Sequence, residues 1–363
     1  MNFNYTNSII LTLLISCLAQ IQCQLVNLNR DLLQQWLGDD INAETIILAN
    51  KKIVSIDPNT FVGLPNLKNL LLAYNNISSL EPSPFAQLAN IVELSLNNNQ
   101  LKTIDQGVLD GLLSLESLFL EGNQINSINP LAFAKLANLK LLNLGDNELS
   151  SLDSSTFNGL TKLNRLELNA NKLSSLAADL FKDLVGVEIL YLELNELVEL
   201  EPSVFRNSIN LKYLSLDFNQ IKNLDPATFS RMANLVELSL TSNKLEFLSE
   251  SLFKELTNLK VLYLDSNQLG YLHPDLFKKL FSLENLRLND NKVSYLDPGM
   301  FSGLFKLMYL YLDNNRITAI NRNIFAGLND LKEVYLKNNP VSLVQPGLVS
   351  TLCQANPTCK IMI

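Results

Sequence analysis

The sequence predicts an α/β repeat solenoid: a right-handed horseshoe with a parallel β-sheet on its concave side and short helices or turns on its convex side. Three observations carry this. Asparagine returns every 24 residues, at Asn75, Asn99, Asn123, Asn147, Asn171, Asn195, Asn219, Asn243, Asn267, Asn291, Asn315 and Asn339. Around each one the apolar positions hold register: Leu67, Leu70 and Leu72 precede Asn75, and Ile77, Leu80, Phe85 and Leu88 follow it. Ten residues past each ladder position stands a second column, Phe61, Phe85, Phe133, Phe157, Phe181, Phe205, Phe229, Phe253, Phe277, Phe301 and Phe325, with Leu109 as the exception. A strict period of this length marks stacked coils rather than one central core.

Composition agrees with one elongated domain. The 363 residues are 47% hydrophobic with only 13 Gly, which leaves no room for long flexible linkers. A formal charge of -8 makes nucleic acid an unfavourable partner, because phosphate would be repelled, and favours a basic protein surface.

At the N-terminus, Ile9 to Ala19 form an apolar run too short to span a bilayer and of the right length for a secretory signal, although no Lys or Arg precedes it. Cleavage after Ala19 leaves an odd thiol. Cleavage after Cys23 leaves Cys353 and Cys359, which can pair, and is favoured. A signal at 1–23 implies a secreted, extracellular protein, and no membrane span is expected elsewhere.

Residues 24–42 are expected to close the first end of the stack. Leu28, Leu32 and Trp36 recur every four residues beside Leu33 and Leu37, and Gly38 follows at a helix C-cap position, which reads as a short amphipathic lid plugged by Trp36. The repeats fill 43–339, about thirteen units. The first carries Lys51 at the ladder position, with Asn50 beside it as an imperfect substitute.

Within each unit LxxLxLxxN gives a short strand, with Leu70 and Leu72 inward and Asn69, Leu71 and Ala73 outward. The turn that follows leaves backbone groups without strand partners. An Asn side chain donates and accepts at once, so successive ladder asparagines are expected to tie neighbouring coils together. The Phe column is expected to stack edge to face as a buried spine. Before it come Asp57-Pro58, Glu81-Pro82, Glu201-Pro202, Asp225-Pro226 and Asp297-Pro298, an acid at an N-cap followed by Pro at the first helical position. Capping accounts for this acid column better than calcium does, since no irregular ligand cage accompanies it.

These residues resemble the leucine-rich repeat family, in particular its extracellular members, across roughly residues 43 to 352. The resemblance implies recognition of another molecule, usually a protein, across the concave side. It does not imply which one. Many secreted members have a cysteine-bearing N-terminal cap, and this sequence has none. The Asn339-Pro340 step resembles the opening of the family's cysteine-containing C-terminal cap, without that cap's early cysteine pair, so 340–363 are expected to form a short cap. Cys353 and Cys359 could close a disulfide loop there; a zinc site would lack two further ligands.

Information about a ligand has to lie in the variable concave positions. The middle strand column reads Ile47, Leu71, Ser95, Phe119, Asn143, Glu167, Tyr191, Ser215, Ser239, Tyr263, Arg287, Tyr311 and Tyr335. Six of the ten tyrosines fall on this face, all from Tyr191 onward, among carboxylates that include Glu121, Glu193, Asp217, Glu237, Asp265, Asp313 and Glu333. Exposed rings bury area at little entropic cost and acids select a basic partner. The expected ligand-binding set is therefore Tyr191, Tyr213, Glu237, Tyr263, Asp265, Tyr309, Tyr311, Asp313 and Tyr335. Strand propensity alone also favours Tyr at such positions. The flank lysines Lys68, Lys140, Lys212, Lys260 and Lys332 form a separate column.

No catalytic residue, metal site or cofactor is expected. The single histidine, His273, occupies the N-cap column away from the strands, and no Ser-His-Asp set or phosphate-cradling Gly loop is present. One sequon, Asn76-Ile77-Ser78, is placed on the rim for a glycan. The alternative to a ligand-binding role is a structural matrix protein that self-associates, with a homodimer as its simplest form.

Overall fold

The computed structural model describes residues 25–341, 347, 352 and 359–363. The apolar run at 9–19, Cys17, Cys23 and Cys353 lie outside the described residues. The chain begins with β1 (Val26–Leu28), α1 (Arg30–Leu37) and a 3-10 turn (Gly38–Asn42). There follow β2 (Thr45–Ile47), β3 (Ile53–Ile56), β4 (Asn69–Leu71), β5 (Glu93–Ser95), β6 (Thr103–Ile104), β7 (Ser117–Phe119), β8 (Ser127–Ile128) and β9 (Leu141–Asn143). Next are β10 (Arg165–Glu167), β11 (Ile189–Tyr191), β12 (Tyr213–Ser215), β13 (Glu237–Ser239) and β14 (Val261–Tyr263). The last strands are β15 (Asn285–Arg287), β16 (Tyr309–Tyr311), β17 (Glu333–Tyr335) and β18 (Lys360–Met362).

Fourteen strands form one sheet in the order β18-β17-β16-β15-β14-β13-β12-β11-β10-β9-β7-β5-β4-β2. All its pairs are parallel, and within the repeats each residue faces the one 24 positions on, as in Tyr191↔Ser215 and Ser239↔Tyr263. Two short pairs, β1-β3 and β6-β8, lie outside this sheet. The core is one continuous apolar column between the sheet and the opposite turns, and Leu70, Leu72, Ile77, Leu80, Phe85 and Leu88 show one coil's share of it.

The asparagine ladder does what its chemistry predicts, and it points backwards. The amide of Asn171 donates to the carbonyls of Leu144 and Leu168, while its Oδ1 accepts from the backbone N–H of Leu149 in the preceding coil. The same bond to the N–H 22 residues earlier is made at both ends of the ladder, by Asn75 with Ile53 and by Asn339 with Ile317. Immediately before the ladder residue the backbone turns left-handed in every coil. Tyr74, Ala170, Leu194 and Phe218 take φ of 57, 51, 57 and 52, and Gly122 is the one glycine in that column. An L-residue there costs roughly 1–2 kcal/mol, which the ladder bonds hold in place. Asn50 occupies this left-handed slot at φ 59, while the N–H of Lys51 donates to Asn75. Asn50 is therefore not a substitute ladder residue.

Other expectations need correction. The Phe rings do not meet edge to face; they repeat as near-parallel pairs, for example Phe157–Phe181 at 6.3 Å and 15° and Phe181–Phe205 at 6.0 Å and 4°. A translation of one coil reproduces each ring's orientation, so adjacent rings cannot turn to face each other's edges. The convex side carries single turns and no helix among the described residues. Asp57, Asp225 and Asp297 each accept from the N–H two residues on, at 2.9, 2.7 and 2.8 Å, and His273 Nδ1 does the same from Asp275 at 3.1 Å. Glu81 and Glu201 show no such bond; in the Glu81 coil Ser83 Oγ accepts from the N–H of Phe85 instead. A glutamate's extra methylene displaces the carboxylate from the short Asx geometry.

At the first end, α1 is capped by Asn29, whose Oδ1 accepts from Leu32 N–H, and closes on Gly38 at φ 54. Leu28 belongs to β1, so the four-residue stripe is half strand and half helix, and Leu33, with no exposed surface, is the residue that plugs the core. Trp36 is only partly buried, with Lys51 Nζ 5.6 Å above its ring. At the far end the terminal Lys360–Met362 adds the fourteenth strand, with Leu336 N–H donating to Met362 O at 2.8 Å. Cys359, just before that strand, is disulfide-bonded; its expected partner Cys353 lies outside the described residues.

Asn171→Ala leaves the Leu149 N–H and the carbonyls of Leu144 and Leu168 without their side-chain partner and is expected to destabilise the protein by about 1–3 kcal/mol per orphaned group, read as a shifted denaturant midpoint. Ala170→Gly relieves the left-handed strain and should leave stability unchanged or raise it by up to about 1 kcal/mol; a loss would mean that the turn is not strained.

Candidate ligand-binding face

The concave sheet presents three columns, one on each side of the middle strand residues and the middle column itself. Their side chains stand about 4.8 Å from their neighbours in the next coil, so each column is a continuous file. This spacing lets planar groups stack along the solenoid, and the C-terminal half does so. The guanidinium of Arg287 lies 4.5 Å from the Tyr263 ring and 5.2 Å from the Tyr311 ring, and Tyr311 stacks on Tyr335 at 4.5 Å and 9°. Tyr335 Oη donates to Glu333 Oε2 at 2.5 Å, and that carboxylate acceptor pushes the phenol up to about 12. On β10, Arg165 stacks on Tyr191 at 5.0 Å and pairs with Glu167 at 2.5 Å.

Between these two stacks the middle column is small. Ser215 and Ser239 separate Tyr191 from Tyr263, and a cavity of about 360 Å³ opens there, walled by Tyr191, Tyr213 and Tyr263 with Glu193, Asp217 and Glu237. Asp217 forms the floor: it accepts from Ser239 Oγ, from Thr241 N–H at 2.7 Å and from Ser215 Oγ at 3.2 Å. Glu193 Oε2 is buried with no hydrogen-bond partner among the described residues.

Burial holds the carboxyls of Glu121, Glu193, Asp217, Glu237 and Asp313 above their ordinary values. Neighbouring charges on the face add to this: Asp217 raises both Glu193, in its own file, and Glu237, in an adjacent one, and Arg287 partly offsets the latter. The flank behaves oppositely. Lys68–Glu44, Lys140–Glu116, Lys212–Glu188 and Lys260–Glu284 pair across adjacent coils at 2.8, 2.8, 2.9 and 3.1 Å. Such exposed pairs add little stability, about 0–1 kcal/mol each, but they cancel the flank's positive charge. The remaining flank lysine, Lys332, lies 5.8 Å from the Tyr309 ring.

The expected binding set divides accordingly. Tyr191, Tyr213, Glu237 and Tyr263 surround one cavity. Tyr311 and Tyr335 continue the stack, and Tyr309 stands apart under Lys332. Asp265 is not a free recognition group: it is 9% exposed and accepts from Thr241 Oγ1 at 3.0 Å, because its short side chain reaches back into the inter-coil turn. Asp313 is tied in the other direction, accepting from the backbone N–H of Lys337 in the following coil at 2.7 Å. Sequence reasoning missed the part played by Arg287, which was only a column member, and by the two serines that create the cavity. It also missed an aromatic stripe four residues past the ladder, Phe247, Tyr271 and Tyr295, which are 53, 54 and 57% exposed on consecutive coils.

Six overlapping matches to the Leucine rich repeat family cover residues 41–101, 89–149, 138–197, 186–245, 233–293 and 281–341. The chain belongs to the leucine-rich repeat family. No curated protein matches it. Among solved structures, it is similar to a chain of the glycosylated Toll–Spatzle complex of Drosophila, with TM-score 0.75 and 25% identity over 86% of this chain and 46% of that one. A chain of the LRIM1/APL1C complex matches with TM-score 0.69 and 24% identity over 81% and 52% of the two chains. A chain of the TLR13–ssRNA13 complex matches with TM-score 0.61 and 24% identity over 86% and 54%. This leucine-rich repeat chain thus spans about half the length of these relatives. No helix among the described residues is long and apolar enough to cross a membrane.

The raised carboxyls make a pH dependence. The folded state keeps protons that the unfolded chain has already released above about pH 4, so these groups contribute stability at low pH that is lost as pH rises through their raised folded values. Glu193→Gln removes one contributor, and its stability should fall less than the parent's between about pH 4 and pH 7; equal slopes in denaturant titrations would show that Glu193 is solvated. Arg287→Ala should raise the Glu237 pKa further, measured by carboxyl-carbon NMR, because Arg287 lowers it now.

Proposed function

We propose that this is a secreted, non-enzymatic leucine-rich repeat protein that recognises an extracellular protein with a basic surface, using the concave face of its C-terminal half in signalling, innate immunity or adhesion. The observation that carries this is charge separation. Four of the five flank lysines are paired with glutamates of neighbouring coils, whereas Glu193, Asp217 and Glu237 gather among tyrosines with no salt bridge among the described residues. Desolvated carboxylates beside aromatic rings gain most from a partner that brings positive charge and excludes water.

The similar folds were solved with Spatzle and as an LRIM1/APL1C complex, which supports a binding role on this scaffold. Another was solved with single-stranded RNA, so the fold itself does not decide against nucleic acid. The charge of this chain supports a protein partner instead: it is -8 overall, with carboxylates on the sheet where phosphates would have to lie. Secretion rests on the apolar run at 9–19, and the Cys353–Cys359 bridge and a glycan on Asn76 belong to the same extracellular reading. Asn76 is partly exposed at the rim and Ser78 is exposed, which leaves the sequon accessible.

A second reading, self-association as a homodimer, is favoured by the exposed Phe247, Tyr271 and Tyr295 on a different side of the coil from the concave cavity. Light scattering over micromolar concentrations separates the two readings: a persistent monomer removes the second.

Replacing Tyr263, Tyr311 and Tyr335 together by Ala should weaken capture of the extracellular partner by at least about tenfold. Dismantling the stack with Arg287 should also lower stability, by about 1–3 kcal/mol. Quantified capture from native extracellular fluid, with circular dichroism to verify folding, checks both. Undiminished capture by the folded variant rejects the concave face.

A further inference from the structure

The cavity between Tyr191 and Tyr263 has a more specific chemistry than the face around it. Its two walls are middle-column residues three strands apart, about 14 Å at the ordinary strand spacing, with only Ser215 and Ser239 between them. Tyr213 closes one side, and Glu193, Asp217 and Glu237 supply three carboxylates. No Lys or Arg lines it. The structure already shows what its walls accept from outside: Arg165, on the strand beyond Tyr191, and Arg287, on the strand beyond Tyr263, each lay a guanidinium against the ring. The ring surfaces lining the cavity have no such partner among the described residues.

We propose that this cavity is an anchor pocket for a single arginine side chain of the ligand protein. It rests on the reading of the concave face as the binding face and states what the partner must present there. A guanidinium is planar, so it can lie against a Tyr ring as Arg165 and Arg287 do, while its N–H fork faces carboxylates. The buried Glu193 Oε2 is an acceptor without a donor, and Glu237 lacks a salt bridge among the described residues. A guanidinium entering here neutralises a like-charged cluster while its N–H groups donate to the carboxylate oxygens that line the cavity. A volume of about 360 Å³ lies at the small end of ligand pockets, which suits one side chain rather than a folded element. Lysine would satisfy the charge as a compact point but not the planar stacking, and a neutral isostere would satisfy neither acceptor fully.

The test uses the full secreted chain and the pentapeptide Ala-Ala-Arg-Ala-Ala with blocked ends and an uncharged fluorophore, followed by anisotropy. Its citrulline and lysine counterparts serve as comparisons. The arginine peptide should bind at least about tenfold more tightly than the citrulline peptide and measurably more tightly than the lysine peptide, with affinity falling as salt rises. Glu193→Gln and Glu237→Gln should each weaken it several-fold, whereas Glu116→Gln on the paired flank should not. Equal binding of the citrulline peptide, equal binding of the lysine peptide, or indifference to both substitutions overturns the proposal. If the arginine peptide fails to bind while the triple tyrosine variant still loses partner capture, the concave face stands as a binding face and this pocket is not its anchor. If capture also survives the triple variant, the wider reading falls with it.

Discussion

The structure depends on one repeated interaction, the side chain of a buried asparagine reaching back to the coil before it. In each coil the strand must turn sharply at its end, and the turn exposes a backbone N–H and two carbonyls to an apolar interior where water cannot serve them. Asn is the residue that donates to carbonyls and accepts from an N–H with one short planar group. At Asn171 those three bonds run to Leu144, Leu168 and Leu149, and the same pattern holds at Asn243 with Leu216, Leu240 and Ile221. The ladder also pins the residue before it in a left-handed conformation, whether that residue is Gly122, Leu194 or Phe218. Thus a side chain that looks like a spacer fixes both the translation and the rotation between coils.

That fixed translation governs everything on the surface. Identical backbone placement every 24 residues turns each variable position into a file, and the properties of a file depend on neighbours in space rather than in sequence. On the flank, Lys and Glu one coil apart cancel each other. In the middle strand column, Tyr263, Arg287, Tyr311 and Tyr335 become one stacked unit, while Ser215 and Ser239 become a gap. Where acids adjoin acids, burial and mutual repulsion raise their proton affinity, as at Glu193 and Asp217. The face that remains is acidic, aromatic and short of cations, a physical description of what it lacks.

The same periodicity limits stability to nearest-neighbour contacts, so the ends need closure. Here the first coil is covered by Leu33 of α1 and by β1 pairing with β3, and the last by β18 pairing with β17. These closures use ordinary hydrophobic plugging and strand addition. Neither carries the period, and so neither was readable in the same way: Leu28 seemed to continue the helical stripe of Leu32 and Trp36, and the terminal strand at Lys360–Met362 gave no alternating pattern long enough to notice.

By itself the sequence determined the coil, its length of 24 residues, its buried Leu and Phe columns and the structural duty of Asn75 through Asn339, because each of these is repeated a dozen times and only one geometry satisfies every copy. It also placed six tyrosines and their neighbouring acids on the concave side. Only the tertiary structure decided how those side chains divide the work. It turned Asp265 into an inter-coil tie, seated Arg287 between two rings and opened a bay over two serines. Those outcomes depend on contacts between residues 24 and 48 positions apart, where side-chain size and charge in one coil set the room and the field available to the next.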